Sequence, residues 1–412
     1  MQFMRTRWRS ALAKSSLALV AVVAAGLIVA ACGGGGGSSS AAPSPPDAEP
    51  GLSAAADLGR RIFNDASLSA SGKMSCATCH DAAHGHASPF DTPVVFGGAN
   101  LDQSGLRNSP SIRYLRYNTS FFFADDGTPT GGFFWDGRAA SLHDQAKEPF
   151  VNPVEMANPD IASVVAKLAA APYADQFAQV FGSNIFSAPD DAMDRAAFAL
   201  ERFQTEAIEF APFSSKYDAF VAGRATLTPQ ELNGLALFNR PDKGNCAACH
   251  PSAKPANAPG ALFTDFTYDN LGLPRNMLIA ANGDPAFYDL GLCGPKRQGL
   301  LATHPELCGA VKVPSLRNVG LRKHFFHNSA FSSIEDVIRF YVTRDTNAQA
   351  WYPQDGNGGV IKFNDLPAAM RGNVNTEEVP YNRVPGQAPA LNDGEIADLA
   401  AFLRTLSDGY TP

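Results

Sequence analysis

At 412 residues and 45% apolar composition the chain is long enough for two domains with proper cores, and nothing past its start has the makeup of a disordered protein. Its formal charge of −7 argues against nucleic acid as a partner. A field of this sign favours a basic or dipolar protein partner, although an acidic total also keeps exported proteins soluble.

Residues 1–31 carry Arg5, Arg7, Arg9 and Lys14 and then an uncharged apolar run from Ser15 to Ala31, the layout of a secretory signal. The run ends as Leu27-Ile28-Val29-Ala30-Ala31-Cys32, which reads as a bacterial lipobox with Cys32 lipidated, a retained membrane anchor being the alternative. This reading expects a protein lipid-anchored to the membrane in the periplasm. Removing the segment takes away four positive charges and leaves 29 basic against 40 acidic residues, a formal −11. Residues 32–50, Gly/Ser-rich and then Ala/Pro-rich, form a tether with no means of building a core.

A helix is predicted between Gly51 and Asp65, with Leu58, Ile62 and Phe63 on one side. It leads into Cys76-Ala77-Thr78-Cys79-His80, and the same motif returns as Cys246-Ala247-Ala248-Cys249-His250. Two thiols at this spacing reach both vinyl groups of a haem, and the next residue presents its imidazole to the iron. A redox or zinc pair is the alternative for a single copy. The surroundings repeat as well: Leu58-Gly59-Arg60-Arg61-Ile62-Phe63-Asn64 precedes one copy and Leu235-Ala236-Leu237-Phe238-Asn239 the other.

From His80 to Asn100 the chain has loop character and contains His84 and His86, each either a sixth iron ligand or a solvated or propionate-facing side chain. Phe133-Phe134-Trp135-Asp136-Gly137-Arg138 follows, with Gln145 and Glu155 downstream at intervals of ten. Beside an open iron, a carboxylate takes a proton from bound peroxide and returns it to the leaving oxygen, while an amide orients the oxidant. The plainer readings are core packing for Trp135 and a helix-start carboxylate for Glu155.

Helical patterns follow over Ile161, Val164, Val165 and Leu168, over Tyr173, Phe177, Val180 and Phe181, and from about Ala192 to Glu209. Residues 210–225 read as the join between halves. The second half opens with a capping box at Thr228 and Glu231. A second box from Ser332 to Glu335 starts a helix that carries Ile334, Val337, Ile338 and Tyr341 on one face. The last helix starts near Asn392 and buries Ile396, Leu399, Ala400 and Leu403. Of the seven cysteines, Cys293 and Cys308 remain, a disulfide in an exported protein or else a free pair.

Over residues 51 to 409 the chain resembles the bacterial dihaem cytochrome c peroxidase and MauG family: two CxxCH motifs, FFWDGR, the Gln/Glu pair, NPVEM, KVPSLRNV and FFHN stand in the family's order. The resemblance implies an all-α fold of two cytochrome c-like domains facing each other with long loops, here 51–212 and 213–412. It implies two covalently bound haem c groups, held by Cys76, Cys79 and His80 and by Cys246, Cys249 and His250. It also implies an oxidoreductase that reduces hydrogen peroxide at the N-terminal haem, with a small redox protein as electron donor and homodimers left open. Trp135 matches the tryptophan between the haems, and Phe134, Gln145 and Glu155 match the peroxide pocket.

Two positions depart from the conventional peroxidases. Sixteen residues after His80, where those enzymes place an iron-blocking histidine, stands Phe96. Fourteen after His327, where they place a methionine ligand, stands Tyr341, as in MauG. Met277, Met370, His304, His324 and His327 are the other candidate ligands of the second iron, and periodicity alone allows Tyr341 a core role. The family register favours Tyr341 as the ligand, a hard anionic donor that lowers the haem's potential and lets the pair store two oxidising equivalents. A calcium ion is further implied at Asn108, Arg322 and His324, with His324 replacing a proline of the pattern. Arg317 and Lys312 are expected near haem propionates or else as surface charges. Two rivals stand beside the peroxidase: a MauG-like oxidase of a protein substrate, and a non-enzymatic dihaem electron carrier.

Overall fold

The computed structural model describes residues 51–411. The signal-like segment, Cys32 and nearly all of the tether lie outside the described residues. Those described are mostly helical, joined by long loops and small two-stranded antiparallel sheets. No helix among them is long and apolar enough to cross a membrane.

In the first half, helix α1 (Ala54–Asn64) is capped by Ser53, whose side chain accepts from Ala56 N. It is followed by the short turn α2 (Cys76–Cys79), α3 (Leu142–Val151), α4 (Ile161–Ala169), α5 (Ala174–Phe181) and α6 (Pro189–Glu206). Strands β1 (Phe96–Gly97), β2 (Gln103–Ser104), β3 (Phe122–Phe123) and β4 (Pro129–Thr130) form two hairpins in the loops between α2 and α3. The expected apolar stripes hold: Leu58, Ile62, Phe63, Val164, Val165, Leu168 and Phe177 share one buried core with α6. Helix α6 starts three residues earlier than the periodicity suggests, because Pro189 supplies a ready first turn.

The second half comprises α7 (Lys216–Val221), α8 (Pro229–Asn239), α9 (Leu300–Thr303), α10 (Ile334–Thr343) and α11 (Asp393–Arg404), with β5 (Tyr268–Asp269) paired to β6 (Val311–Lys312). The predicted join therefore contains a helix, α7, closed by a capping box between Ser215 and Asp218. At the start of α10 no capping box forms: Ser333, one residue later than expected, caps the helix by accepting from Asp336 N and donating to the Asp336 carboxylate. The box at Thr228 forms as read, and the last helix starts at its Asn392 cap as expected, with a capping box to Glu395 in addition.

The repeat goes deeper than the two haem motifs. In each half the helix that leads into the CxxCH motif, α1 or α8, crosses the last helix at a glycine: a Cβ on Gly59 would lie 1.9 Å from Ala199 O, and one on Gly234 would lie 2.1 Å from Asp398 O. Beside each crossing a phenylalanine pair packs edge to face, Phe63 with Phe203 at 5.6 Å and Phe238 with Phe402 at 5.3 Å. A second repeated unit is a Phe-Phe turn whose second phenylalanine is left-handed, at φ 63° for Phe134 and 66° for Phe326. A bridge closes each turn, Phe133 to Ala139 and Phe325 to Phe331, and a serine cap then opens α3 or α10.

Candidate haem sites

Both CxxCH segments are single helical turns in which the histidine N–H donates to the first cysteine's carbonyl, 2.9 Å for His80 to Cys76 O and 2.8 Å for His250 to Cys246 O. Each imidazole is then fixed through Nδ1: His80 contacts His86 O at 3.2 Å, and His250 contacts Phe263 O at 2.9 Å. An Nδ1 hydrogen bond to a carbonyl leaves Nε2 as the lone-pair donor, the tautomer that binds a metal. Burial lowers the proton affinity of both rings, His250 to about 4, so both are neutral. All four cysteines are unbridged. Burial pushes the thiols of Cys76, Cys79 and Cys246 up to about 12. The donor set fits haem c.

A cavity of about 220 Å³ opens in front of His250. Its walls carry Cys246, Cys249 and His250, the apolar face of α10, and Leu399 and Leu403 of α11, and it reaches Phe134 and Trp135 of the first half. This is a chamber for a flat apolar group held at one edge by two sulfurs and on one face by an imidazole. Of the candidate ligands for the second iron, Tyr341, His324 and His327 line it. Met277 is 63% exposed, and His304 is turned away, stacked on Phe123 at 4.8 Å and paired with Glu306. Burial, then the nearby Asp269 and the sulfurs of Cys249 and Cys246, hold the Tyr341 phenol well above its usual range. Sequence reasoning missed two neighbours. Tyr381 lies 5.8 Å from Tyr341 ring to ring, and Asp269, raised to about 6 by burial, sits with Glu378 beside Cys249.

On the first side, Glu155 follows α3 and is held by its backbone, its N–H donating to Asn152 O at 3.0 Å and its carbonyl accepting from Gly98 at 2.9 Å. Its carboxylate acts electrostatically on Cys76 and Cys79, which puts it in the neighbourhood of the first haem motif. Burial raises this carboxyl, while Arg138 and Lys296 pull it back. Gln145 projects from α3 with an amide that no described residue engages. Phe134 is covered by the Arg138 guanidinium at 3.6 Å. Phe96 lies on β1, 45% exposed, with no donor atom for iron.

Between the two sides stands Trp135, 7% exposed, its Nε1–H donating to Asn108 O at 2.8 Å and its ring edge-on to His327 at 6.4 Å. The Asn108 side chain donates to His324 O at 3.1 Å, so two of the three calcium positions meet. The side chain of Arg322 is buried, lowered to about 10, and donates to the carbonyls of Ser315 and Arg317.

Several expectations are corrected. His84 pairs with Asp81 at 2.8 Å, and His86 is buried against Phe210, accepting at Nδ1 from Arg113 at 3.1 Å. Both histidines are thus spent on protein partners, and the carbonyl of His86 serves the Nδ1 side of His80. Arg317 and Lys312 are buried at 1% and 8% exposure, not surface charges. Arg317 is locked to Asp218 by two bonds of 2.7 and 2.8 Å and does not line the cavity, whereas Lys312 does, its Nζ donating to Gly132 O at 2.6 Å. The expected Cys293–Cys308 disulfide is formed.

The comparisons agree with this geometry. Residues 53–226 match the family described as di-haem cytochrome c peroxidase. The methylamine utilization protein MauG of Paracoccus denitrificans is 37% identical over 370 residues, covering 88% of this chain and 90% of that one. The cytochrome c551 peroxidase of Nitrosomonas europaea is 29% identical over 300 residues, 71% of this chain and 75% of its own. Among solved structures, the diheme peroxidase BthA of Burkholderia thailandensis superposes with a TM-score of 0.79 at 40% identity, over 86% of each chain. With two CxxCH motifs and relatives of both kinds over most of its length, the chain belongs to the dihaem cytochrome c peroxidase and MauG family of peroxide-reacting oxidoreductases.

Proposed function

We propose that the protein reduces hydrogen peroxide to two waters at the N-terminal site, with the C-terminal site storing or relaying the oxidising equivalents. The single observation that carries this is the unequal furnishing of the two motifs: the Glu155 carboxylate near the cysteines of the first, the Tyr341 phenol in the chamber of the second. When bound, the haems supply the redox chemistry, two electrons in all for each peroxide. Cys76, Cys79 and His80 hold one, and Cys246, Cys249, His250 and Tyr341 hold the other.

Glu155 takes the proton from one peroxide oxygen and returns it to the leaving oxygen. Its raised proton affinity suits a group that must both accept and release near neutral pH. The amide of Gln145 holds the oxidant in line. Phe96, in the register of the blocking histidine, leaves the oxidant's position open at rest. Trp135 bridges the pockets, its indole fixed by Asn108 O. Tyr341 resists ionisation in its buried, acidic surroundings, so a phenolate there implies a bound cation that inverts the balance. A calcium ion between Asn108 Oδ1 and the carbonyls of Arg322 and His324 would brace the Trp135 contact, and rotation of the Asn108 amide brings its oxygen to that point.

The test is to add peroxide to the fully oxidised protein and follow its absorption and electron paramagnetic resonance (EPR) spectra. Immediate reaction is expected, and a protein that stays inert until pre-reduced sinks the open-site reading.

The 37% identity to MauG supports a second reading, an oxidase of a partner protein's side chains. Steady turnover with a small redox protein favours the peroxidase; stable modification of a co-expressed partner favours the oxidase. The family and the signal-like start support a periplasmic location, and Cys32 is proposed as a lipid anchor.

A further inference from the structure

The turn that carries Trp135 belongs to the first half, but the second half holds it in place. Gly131, Gly132, Phe134 and Gly137 all have positive φ, and a left-handed Phe134 is a conformation that persists only under outside support. That support is a row of donors from residues far along the chain. Tyr268 Oη donates to Gly131 O at 2.6 Å, Lys312 Nζ to Gly132 O at 2.6 Å, Lys312 N to Trp135 O at 2.9 Å, and Arg297 Nη1 to Asp136 O at 2.8 Å.

Tyr268 and Lys312 lie on β5 and β6 and belong to the interior. Arg297 differs: it comes from the loop closed by Cys293–Cys308, stacks on Phe121 at 3.8 Å, and makes no ion pair among the described residues. A half-buried guanidinium without a carboxylate has lost water and gained one carbonyl and one ring. The electrostatic partners it does have, Tyr268 and Asp136, belong to the turn or hold it, so the turn accounts for its place.

We propose that Arg297 is a positioning residue for electron transfer between the two haems, a clamp from the disulfide loop that keeps the Trp135 turn in register with both pockets. This rests on the reading of Trp135 as the bridge. In the step served, one electron leaves the C-terminal haem, which is oxidised, and reaches the peroxide-oxidised N-terminal haem, which is reduced, and no bond forms or breaks.

The test uses the holoprotein with both haems and the variants R297A, R297K and W135F. Two quantities are read: the rate of electron redistribution between the haems after flash reduction, and backbone hydrogen exchange of residues 131–137. R297A is expected to slow redistribution about tenfold and speed exchange in that segment, while the first reaction with peroxide keeps its rate. R297K, whose ammonium still reaches a carbonyl, is expected to recover part of both. Wild-type redistribution or exchange in R297A, with W135F slow, overturns the clamp and leaves the bridge intact. Wild-type redistribution in W135F overturns the bridge, and the clamp with it.

Discussion

Pro149 and Tyr341 occupy the same step of two equivalent helices: each is the eighth residue, α3 counted from Leu142 and α10 from Ile334, after the same Phe-Phe turn and serine cap. One half presents a phenol where the other presents a ring with no donor atom. The two halves thus differ in donor chemistry at one position of a duplicated element.

Replacing that phenol gives the first prediction. Tyr341→Phe is expected to change the resting EPR signal of the C-terminal haem and raise its potential, because an anionic oxygen ligand favours the ferric state. The N-terminal signal is expected to stay as it was. An unchanged C-terminal signal rules Tyr341 out as the ligand.

Glu155→Gln is expected to lower the rate of the peroxide reaction by about 10²–10⁴-fold, the usual range for a lost acid–base group. Peroxide binding is expected to weaken far less, so the loss shows in the rate at saturation. A loss of less than threefold, roughly 0.6 kcal/mol of barrier, removes Glu155 from the proton path.

The pH profile follows from the same carboxyl. Burial raises it, so the acid limb of the peroxide reaction is expected above the ordinary carboxylate range, with activity falling as Glu155 takes a proton and can no longer accept one. Lys296 pulls in the other direction. Lys296→Gln is therefore expected to move the limb to higher pH, and added salt to do the same by screening an exposed lysine. A limb that moves down, or not at all, contradicts the arrangement.

His86 predicts how stability depends on pH. Burial, with Arg113 beside it, pushes the ring down to about 3, whereas the unfolded chain titrates near 6.5. Between those values the unfolded state binds a proton that the folded state does not, so this residue's contribution is intact above 6.5 and is lost as pH falls towards 3. The slope is at most about 1.4 kcal/mol per pH unit. Denaturant melts of His86→Gln are expected to show a shallower fall over that window than the parent.

Gly59→Ala and Gly234→Ala test the helix crossings. Each new methyl would meet a carbonyl oxygen of the partner helix near 2 Å, a clash that only a backbone shift relieves. A loss of about 1–3 kcal/mol or more is expected in either variant, read by thermal melting. Gly182→Ala, where nothing lies within 4 Å, controls for the effect of a methyl without a neighbour, although its positive φ carries a strain of its own.

Features of the site that depend on neighbours in sequence were readable. The CxxCH turns, the box at Thr228, the helix start at Asn392 and the stripe on α10 all form as expected. The cap before α10 was misplaced because Ser332 with Glu335 and Ser333 with Asp336 satisfy the same pattern, and only the burial of Ile334 at the first helical position selects the second. Helix α7 is six residues long, and Arg317, ninety-nine positions away, pairs with its Asp218, a contact no local signal carries. Asp269 and Tyr381 reach the chamber, and Arg297 the Trp135 turn, by the same long-range closure. Arg317 itself was misread because an arginine near a haem motif suggests a propionate, whereas a buried carboxylate had already claimed it.

The glycine crossings also set an order of maturation. The helix that crosses α1, α6, ends at Glu206, so that crossing can form midway through synthesis, while the crossing at Gly234 waits for Asp393–Arg404 at the far end of the chain. A polypeptide truncated before Asp393 is expected to keep the helix packing around Gly59 and lose that around Gly234, which limited proteolysis reads as protection confined to the first half.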